Sequence, residues 1–426
     1  MLKLFFSNDD GPSYADKLCV FMMSLYLLAD VASGFTVLQL GMDLKLSLLY
    51  KLPLTGLVLL LVLKLDPRYF IFLCLLLAIL LMGPVLQLLS EADTFFFISD
   101  FSNVYKILMP MSIFIYFGLL AARWDLFTRK WLERILISNF AILCFNLFLG
   151  ALGFGRSSYQ LRDGETAGSN GFIYAANELG ATMVVLFSFM LHMCWNYKRK
   201  WYILFSLFTV LCGLLVATKT AMLAAVSLVF IVPILNERER LFKMTKLKLY
   251  ILVPMFCAIA AIVYVINDLL MALGLYDRLM WVLSQKGVLG IILSGRDEFA
   301  KELLVVYVNY LEFWQQLVGV GTAGIAEFIP IKYSAEIDAI DVLVYFGFTG
   351  LFVCFSFYFF TFIKALKQCV RPESIYSPAV LAGTLILLFL SQLSGHVWIS
   401  GTPYAFQTPA QLPSCSARPH PASACL

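Results

Sequence analysis

Residues 45–89 read KLSLLYKLPLTGLVLLLVLKLDPRYFIFLCLLLAILLMGPVLQLL. Two apolar runs, 45–64 and 69–89, flank a short polar junction around Asp66 and Arg68. A bilayer core about 30 Å thick takes roughly 20 apolar residues per helical crossing, and each run has that length. The stretch reads as two consecutive transmembrane helices joined by a tight charged turn. Runs of similar character at 18–41, 103–121, 132–153, 173–194, 201–217, 220–235, 249–266, 340–362 and 378–395 bring the expected spans to eleven. Composition agrees. Hydrophobic residues make up 61% of the chain and charged residues 14%, against about 25% charged in ordinary soluble proteins. The mean hydropathy is +0.86. Such a chain cannot cover its own surface in water, so the expected fold is all-α, a polytopic membrane helix bundle.

Other classes fall away on the same ground. The net charge of +4 is small and spread between loops, which does not suggest nucleic-acid binding. Met1–Lys17 carries Asp9, Asp10 and Asp16, and no small-residue cleavage pattern follows the first apolar run, so no cleavable signal peptide is expected. Cys19, Cys74, Cys144, Cys212, Cys257 and Cys354 lie inside apolar runs, where a thiol behaves as a small hydrophobe. No C-x-x-C or other metal spacing occurs, and neither a disulfide framework nor a metal or cofactor is expected.

Charge then orients the chain. Lys and Arg gather in alternate connections: Lys64 and Arg68; Arg123, Arg129, Lys130 and Arg134; Lys198, Arg199 and Lys200; Arg238, Arg240, Lys243, Lys246 and Lys248; Lys364, Lys367 and Arg371. Ser90–Asn103, between two such groups, holds Glu91, Asp93 and Asp100 and no cation. The positive-inside rule puts the amino terminus in the cytoplasm and the cation-poor loops outside. Two longer segments fall outside. Gly155–Gly171 is polar and glycine-rich, with Arg156 and Arg162. Asn267–Ala339 is a long loop of helical character. In it Phe299, Leu303, Val306, Tyr310, Phe313 and Leu317 recur at i+3/i+4 spacing, opposite Glu298, Lys301, Glu302, Asn309, Glu312 and Gln316. The spacing predicts an amphipathic helical cap on the outer membrane surface, followed by a flexible turn at Gly319–Gly324. The chain thus divides into nine spans (1–266), an outer helical loop (267–339), two last spans (340–395) and an outer segment (396–426) whose Pro- and Ser-rich end, from about Thr408, is expected to be unstructured.

Ionisable residues near a bilayer are informative because each costs about 2.5–3.5 kcal/mol at mid-span on insertion scales. Asp30, Lys51 and Lys106 fall within spans, where snorkelling or pairing inside the bundle accounts for them. Asn177 and Glu178 stand at the outer end of the sixth span, and Lys219 in the tight outer turn between the seventh and eighth. Arg296 opens the amphipathic segment, where a guanidinium beside free helix-start N–H groups suits a phosphate. Glu336, Asp338 and Asp341 crowd the mouth of the tenth span. They serve either as a solvated helix cap or as general bases at the outer face. His396 follows the last span, also outside.

These residues come in an order that resembles a known family. GFIYAANELGAT (171–182) is followed by ATKTAML (217–223), SGRDEF (294–299), GVGTAG (319–324), E-x-D-x-x-D (336–341), YFGFTGLF (345–352) and SGHVW (394–398). Over Gly171–Trp398 the chain resembles the O-antigen polymerase and ligase superfamily, in its oligosaccharide repeat-unit polymerase (Wzy-type) branch. The resemblance implies a GT-C-like, metal-independent, inverting glycosyltransferase on the outer face of the bacterial inner membrane. Its substrate would be an oligosaccharide on undecaprenyl pyrophosphate, with a chain-length regulator protein as a partner. Arg296 matches the family's catalytic-loop arginine. The acidic triplet stands where ligases carry histidine, which favours a polymerase. One departure is the Pro/Ser-rich tail where relatives carry a twelfth span. In this reading Arg156, Arg162, Lys219 and Arg296 neutralise the leaving pyrophosphate, and Glu336 or Asp338 takes the proton from the attacking hydroxyl. Asn177, Glu178, Asp341 and His396 complete the substrate site. The rivals are a ligase moving finished glycan to lipid A core, and a flippase for lipid-linked sugars. A flippase predicts inverted repeats and midplane charges, whereas the sequence shows no internal repeat and its charges gather at one face.

Overall fold

The computed structural model describes residues 11–90, 93–160, 166–253, 295–330, 332–371, 374–395 and 397–399, with scattered positions between 255 and 293. Helices dominate. In chain order they are α1 (Tyr14–Ser24), α2 (Tyr26–Gln39), α3 (Leu46–Leu65), α4 (Pro67–Leu89), α5 (Thr94–Arg123) and α6 (Asp125–Ala151). A hairpin, β1 (Arg156–Gln160) and β2 (Thr166–Gly171), precedes α7 (Ala176–Tyr197), α8 (Tyr202–Val216) and α9 (Lys219–Leu235). Then come α10 (Arg296–Asn309), α11 (Phe313–Val318), α12 (Gly321–Phe328), α13 (Asp338–Cys369) and α14 (Ser377–Leu393).

Among the described residues, seven helices are long and apolar enough to cross a membrane, or eight if the α1–α2 pair, bent by 51°, is one span. The seventeen-residue helices α9 and α14 are apolar but shorter. The membrane bundle is therefore present, but the expected eleven spans are not all met. The run at 249–266 lies largely outside the described residues, as does the tail after Thr408.

Local chemistry sets the boundaries. Asp66 caps α4 by accepting from the Arg68 N–H, with Pro67 at the first helical position, so the charged junction between the two quoted runs ends one helix and starts the next. Within an apolar bundle a helix break needs donors and acceptors for the backbone groups it frees. The α1–α2 break has them on α6. Asn139 Oδ1 accepts from Leu27 N at 2.9 Å, Asn139 Nδ2 donates to Met23 O at 3.0 Å, and Ser138 donates to Ser24 O at 2.8 Å. The intramembrane charges Asp30 and Lys51 pair at 2.6 Å, with Lys51 also lying over the Tyr26 ring.

Three expectations change. The amphipathic stretch is not one helix: α10 ends at Asn309, and α11 starts at Phe313. The corner is tied by Tyr307, whose hydroxyl donates to Gln316 O, and by Gln316, whose Nε2 donates to Tyr307 O and Leu311 O. Only Ala300, Leu303 and Val306 of α10 are buried. Second, Gly319–Gly324 is no flexible turn. Val320, Thr322 and Ile325 are buried, and the Asp100 carboxylate on α5 accepts the Thr322 N–H at 3.0 Å near the start of α12. At Gly319 (φ 82°) a side chain would collide with the Tyr345 carbonyl, so the glycine permits backbone-to-backbone packing. Third, the polar Gly155–Gly171 loop contains the antiparallel hairpin, with Tyr159 opposite Ala167 and Gln160 opposite Thr166. Buried Asn146 on α6 anchors its exit: Nδ2 donates to Asn170 O at 2.9 Å, and Oδ1 accepts from Phe172 N at 2.8 Å.

Candidate functional site

The loop between α12 and α13 passes over the end of α14, and the start of α10 meets both. Arg296, the first residue of α10, follows Gly295, whose φ of 84° turns the chain into the helix. Its guanidinium donates to Glu336 Oε2 from Nε at 3.1 Å and from Nη2 at 2.7 Å, and to the Leu393 carbonyl from Nη1 at 3.2 Å. Leu393 ends α14, so one side chain ties three elements. On the other side, Lys332 Nζ lies 3.1 Å from Glu336 Oε1 and 4.4 Å from the centre of the Phe299 ring. Glu336 is thus clasped between two cations. Its backbone takes φ 57°, and Gly395 packs against its carbonyl so closely that any side chain there would collide.

The two aspartates are built in differently. Asp338 is fully buried, and its Oδ2 accepts the N–H groups of Val397 and Trp398, each at 2.9 Å. Asp341 is also buried. It accepts from Ala335 N at 2.7 Å and from the Ser334 hydroxyl at 2.9 Å, and Ser334 Oγ in turn accepts the Glu336 N–H. Both therefore position the loop on either side of Glu336. From the neighbouring α7, Asn177 Nδ2 donates to Ser394 O at 3.2 Å. Five residues singled out in the sequence, Asn177, Arg296, Glu336, Asp338 and Asp341, thus converge on two short segments, 334–336 and 393–398.

Arg156, Glu178 and Lys219 sit on β1, α7 and α9. Arg156, on β1, lies over the Tyr174 ring at 4.2 Å. Glu178 is half-buried in the first turn of α7, and Lys219 opens α9 behind the Thr218 cap. The starts of these two helices touch where a methyl on Gly180 would meet Ala221. Arg162 and His396 lie outside the described residues, although Gly395 and Val397 on either side of His396 are placed.

The electrostatics favour a charged Glu336. Burial pushes its carboxyl up, but hydrogen bonds and charge from Arg296 and Lys332 outweigh that and hold it below the ordinary glutamate range. The side chains of Arg296, Glu336 and Lys332 retain 19%, 29% and 36% of their exposure, enough to meet a ligand from solvent. Sequence reasoning passed over Lys332, although its place four residues before Glu336 is a visible charge-pair spacing. Among the described residues no group of three or more His, Cys, Asp or Glu side chains is arranged to hold a metal ion. Comparison with known protein families, characterised proteins and solved structures returns no match for this chain.

Proposed function

We propose that the chain is a membrane glycosyltransferase that joins oligosaccharide units carried on undecaprenyl pyrophosphate at the outer face of a bacterial inner membrane. The observation that carries the reading is the Arg296–Glu336–Lys332 clasp. It sets a planar guanidinium, an ammonium and a carboxylate side by side, partly open, at the ends of helices in an apolar bundle. A sugar on pyrophosphate is already activated, so the protein needs no cofactor to make a leaving group. It must stabilise the charge that develops on the pyrophosphate and remove one proton from the acceptor.

The clasp suits both tasks in sequence. An arriving pyrophosphate competes with Glu336 for Arg296 and Lys332, and the guanidinium fork matches phosphate oxygens as well as it matches a carboxylate. Glu336 then loses the partners that hold its carboxyl down, while its burial remains, and it becomes a better base. The acceptor hydroxyl oxygen attacks the anomeric carbon as the bond from that carbon to the pyrophosphate oxygen breaks. The hydroxyl proton passes to Glu336, the electron pair leaves with the pyrophosphate, and configuration inverts. Basicity is thereby coupled to donor binding. Asp338 and Asp341 act through the loops they hold.

The test is the lipid-linked sugar that accumulates in cells lacking the chain. Single repeat units on the outer face support the polymerase reading. Completed chains on the carrier lipid would identify a ligase instead, and units trapped on the inner face a flippase.

A further inference from the structure

A groove of about 790 Å³ runs between α4, α5 and α13, at the end of the bundle opposite the acidic loop. Tyr69, Leu76, Phe114, Leu119 and Phe357 line it, and Lys364 stands at its mouth. Its size falls within the range of about 300–1,000 Å³ usual for small-molecule sites. α13 is broken at Gly347 (φ 67°, ψ −171°), and its continuous part from Phe348 to Cys369, 22 of its 32 residues, is roughly 33 Å long at about 1.5 Å per residue. It therefore spans a hydrocarbon core about 30 Å thick with its ends at opposite headgroup layers. Lys364 lies one to two turns before the end of α13, at headgroup depth. From there the groove follows α13 back to Phe352, about 18 Å at 1.5 Å per residue, which is close to the depth of one leaflet.

The lysine is the unusual part. Lys51, Lys248 and Lys332 each meet a carboxylate, at 2.6, 3.2 and 3.1 Å. Lys364 is half-buried, and the contacts it makes among the described residues are with rings: Phe114 at 4.7 Å and Phe360 at 5.9 Å. Ring faces hold an ammonium in place but do not neutralise it. An anion is therefore the complement this site calls for, and the groove below it is lined mostly by apolar side chains.

We propose that the groove is a binding site for an anionic phospholipid, its phosphate on Lys364 and one acyl chain laid along Phe114 and Phe357. The site is separate from the Arg296–Glu336 clasp and holds whether or not the chain transfers sugars. It predicts that bound lipid remains with the protein after extraction from the membrane and is selected by charge.

The full chain, purified in mild detergent, is titrated with phosphatidylglycerol and phosphatidylcholine of equal chain length, and bound lipid is counted by native mass spectrometry. Phosphatidylglycerol should be retained preferentially. Lys364→Gln should cut that preference about tenfold, the size of one charge-assisted hydrogen bond, while Lys364→Arg keeps it. Lys367→Gln, one turn away on the exposed side, should leave it unchanged. Ser356→Phe, which fills the groove with a ring, should release both lipids. Gel filtration and circular dichroism check that each variant is folded. Equal retention of the two lipids by the unaltered chain, or an undiminished preference in folded Lys364→Gln, would overturn the proposal.

Discussion

The helices α4 and α7 are of similar length and opposite character. α4 has a mean hydropathy of 2.7 over its most apolar window and only 28% of that window buried, whereas α7 has 1.4 and 72%. The more apolar helix is the less buried, the reverse of a soluble core. Lipid tails solvate leucine as well as protein does, so burying α4 gains little. What the bilayer rejects is polar side chains and open backbone, and these gather inside. α7 carries Asn177, Thr182, Ser188 and His192, and the last three are buried. The lesson for this molecule is that polarity, not hydropathy, marks the helices that build its interior and its site.

The largest expected effects belong to the polar side of the molecule. Arg296→Ala should lower polymer formation by about 10²–10³-fold, the size of one lost electrostatic stabiliser, and Arg296→Lys should keep part of it because charge survives without the fork. Glu336→Gln should cost about 10²–10⁴-fold, as expected for a general base, with lipid-linked substrate still bound. Polymer of normal length and yield from either variant, at normal expression, would remove that residue from the site. Next in size is stability at the hairpin. Asn146→Ala leaves the buried Phe172 N–H unmatched and the Asn170 carbonyl with only the Ile173 N–H at 3.3 Å, and should cost about 1–3 kcal/mol, read as a drop in melting temperature in detergent.

A smaller effect follows from Glu336 itself. Its carboxyl is held below the ordinary range, so its contact with Arg296 and Lys332 adds stability above that range, and the contribution disappears as pH falls through the lowered value. Because the side chain is 29% exposed, the loss should stay under about 1 kcal/mol. The gap in melting temperature between the unaltered chain and Glu336→Gln, present at neutral pH, should close at strongly acidic pH. A constant gap would show that the pair does not titrate as described. The smallest effect belongs to the lipid side. Leu75 on α4 is 58% exposed, and Leu75→Ala should shift stability by no more than about 0.5 kcal/mol. A loss as large as that of Asn146→Ala would mean a protein partner covers α4.

The helices were legible because span length and charge alternation are local properties, written residue by residue. The grouping of Arg296 with Glu336 and Asp338 was legible only as neighbourhood in a long loop. Its geometry depends on segment 393–398 crossing beneath, and nothing near Leu393 announces an acceptor for a guanidinium. The hairpin escaped because its strands are polar and short, and Asn146, on the preceding helix and 24 residues before Asn170, fixes its exit. The glycines at 319–324 suggested freedom when their use is close contact, since a missing side chain has the same appearance in sequence for either purpose. Asp100 belongs to the same lesson: its partner Thr322 lies 222 residues along the chain.

Glu336 holds a left-handed backbone at φ 57°, a conformation that costs a residue with a β-carbon about 1 kcal/mol relative to glycine. The backbone taken by itself therefore prefers glycine there, or asparagine, against which the contacts with Arg296 and Lys332 weigh. This makes position 336 a recorder of selection. Libraries randomised at that codon and passed through a screen for membrane expression alone should enrich Glu336→Gly and Glu336→Asn. The same library passed through a screen for surface polysaccharide should return glutamate, and the divergence between the two pools would measure what the carboxylate is worth to the cell.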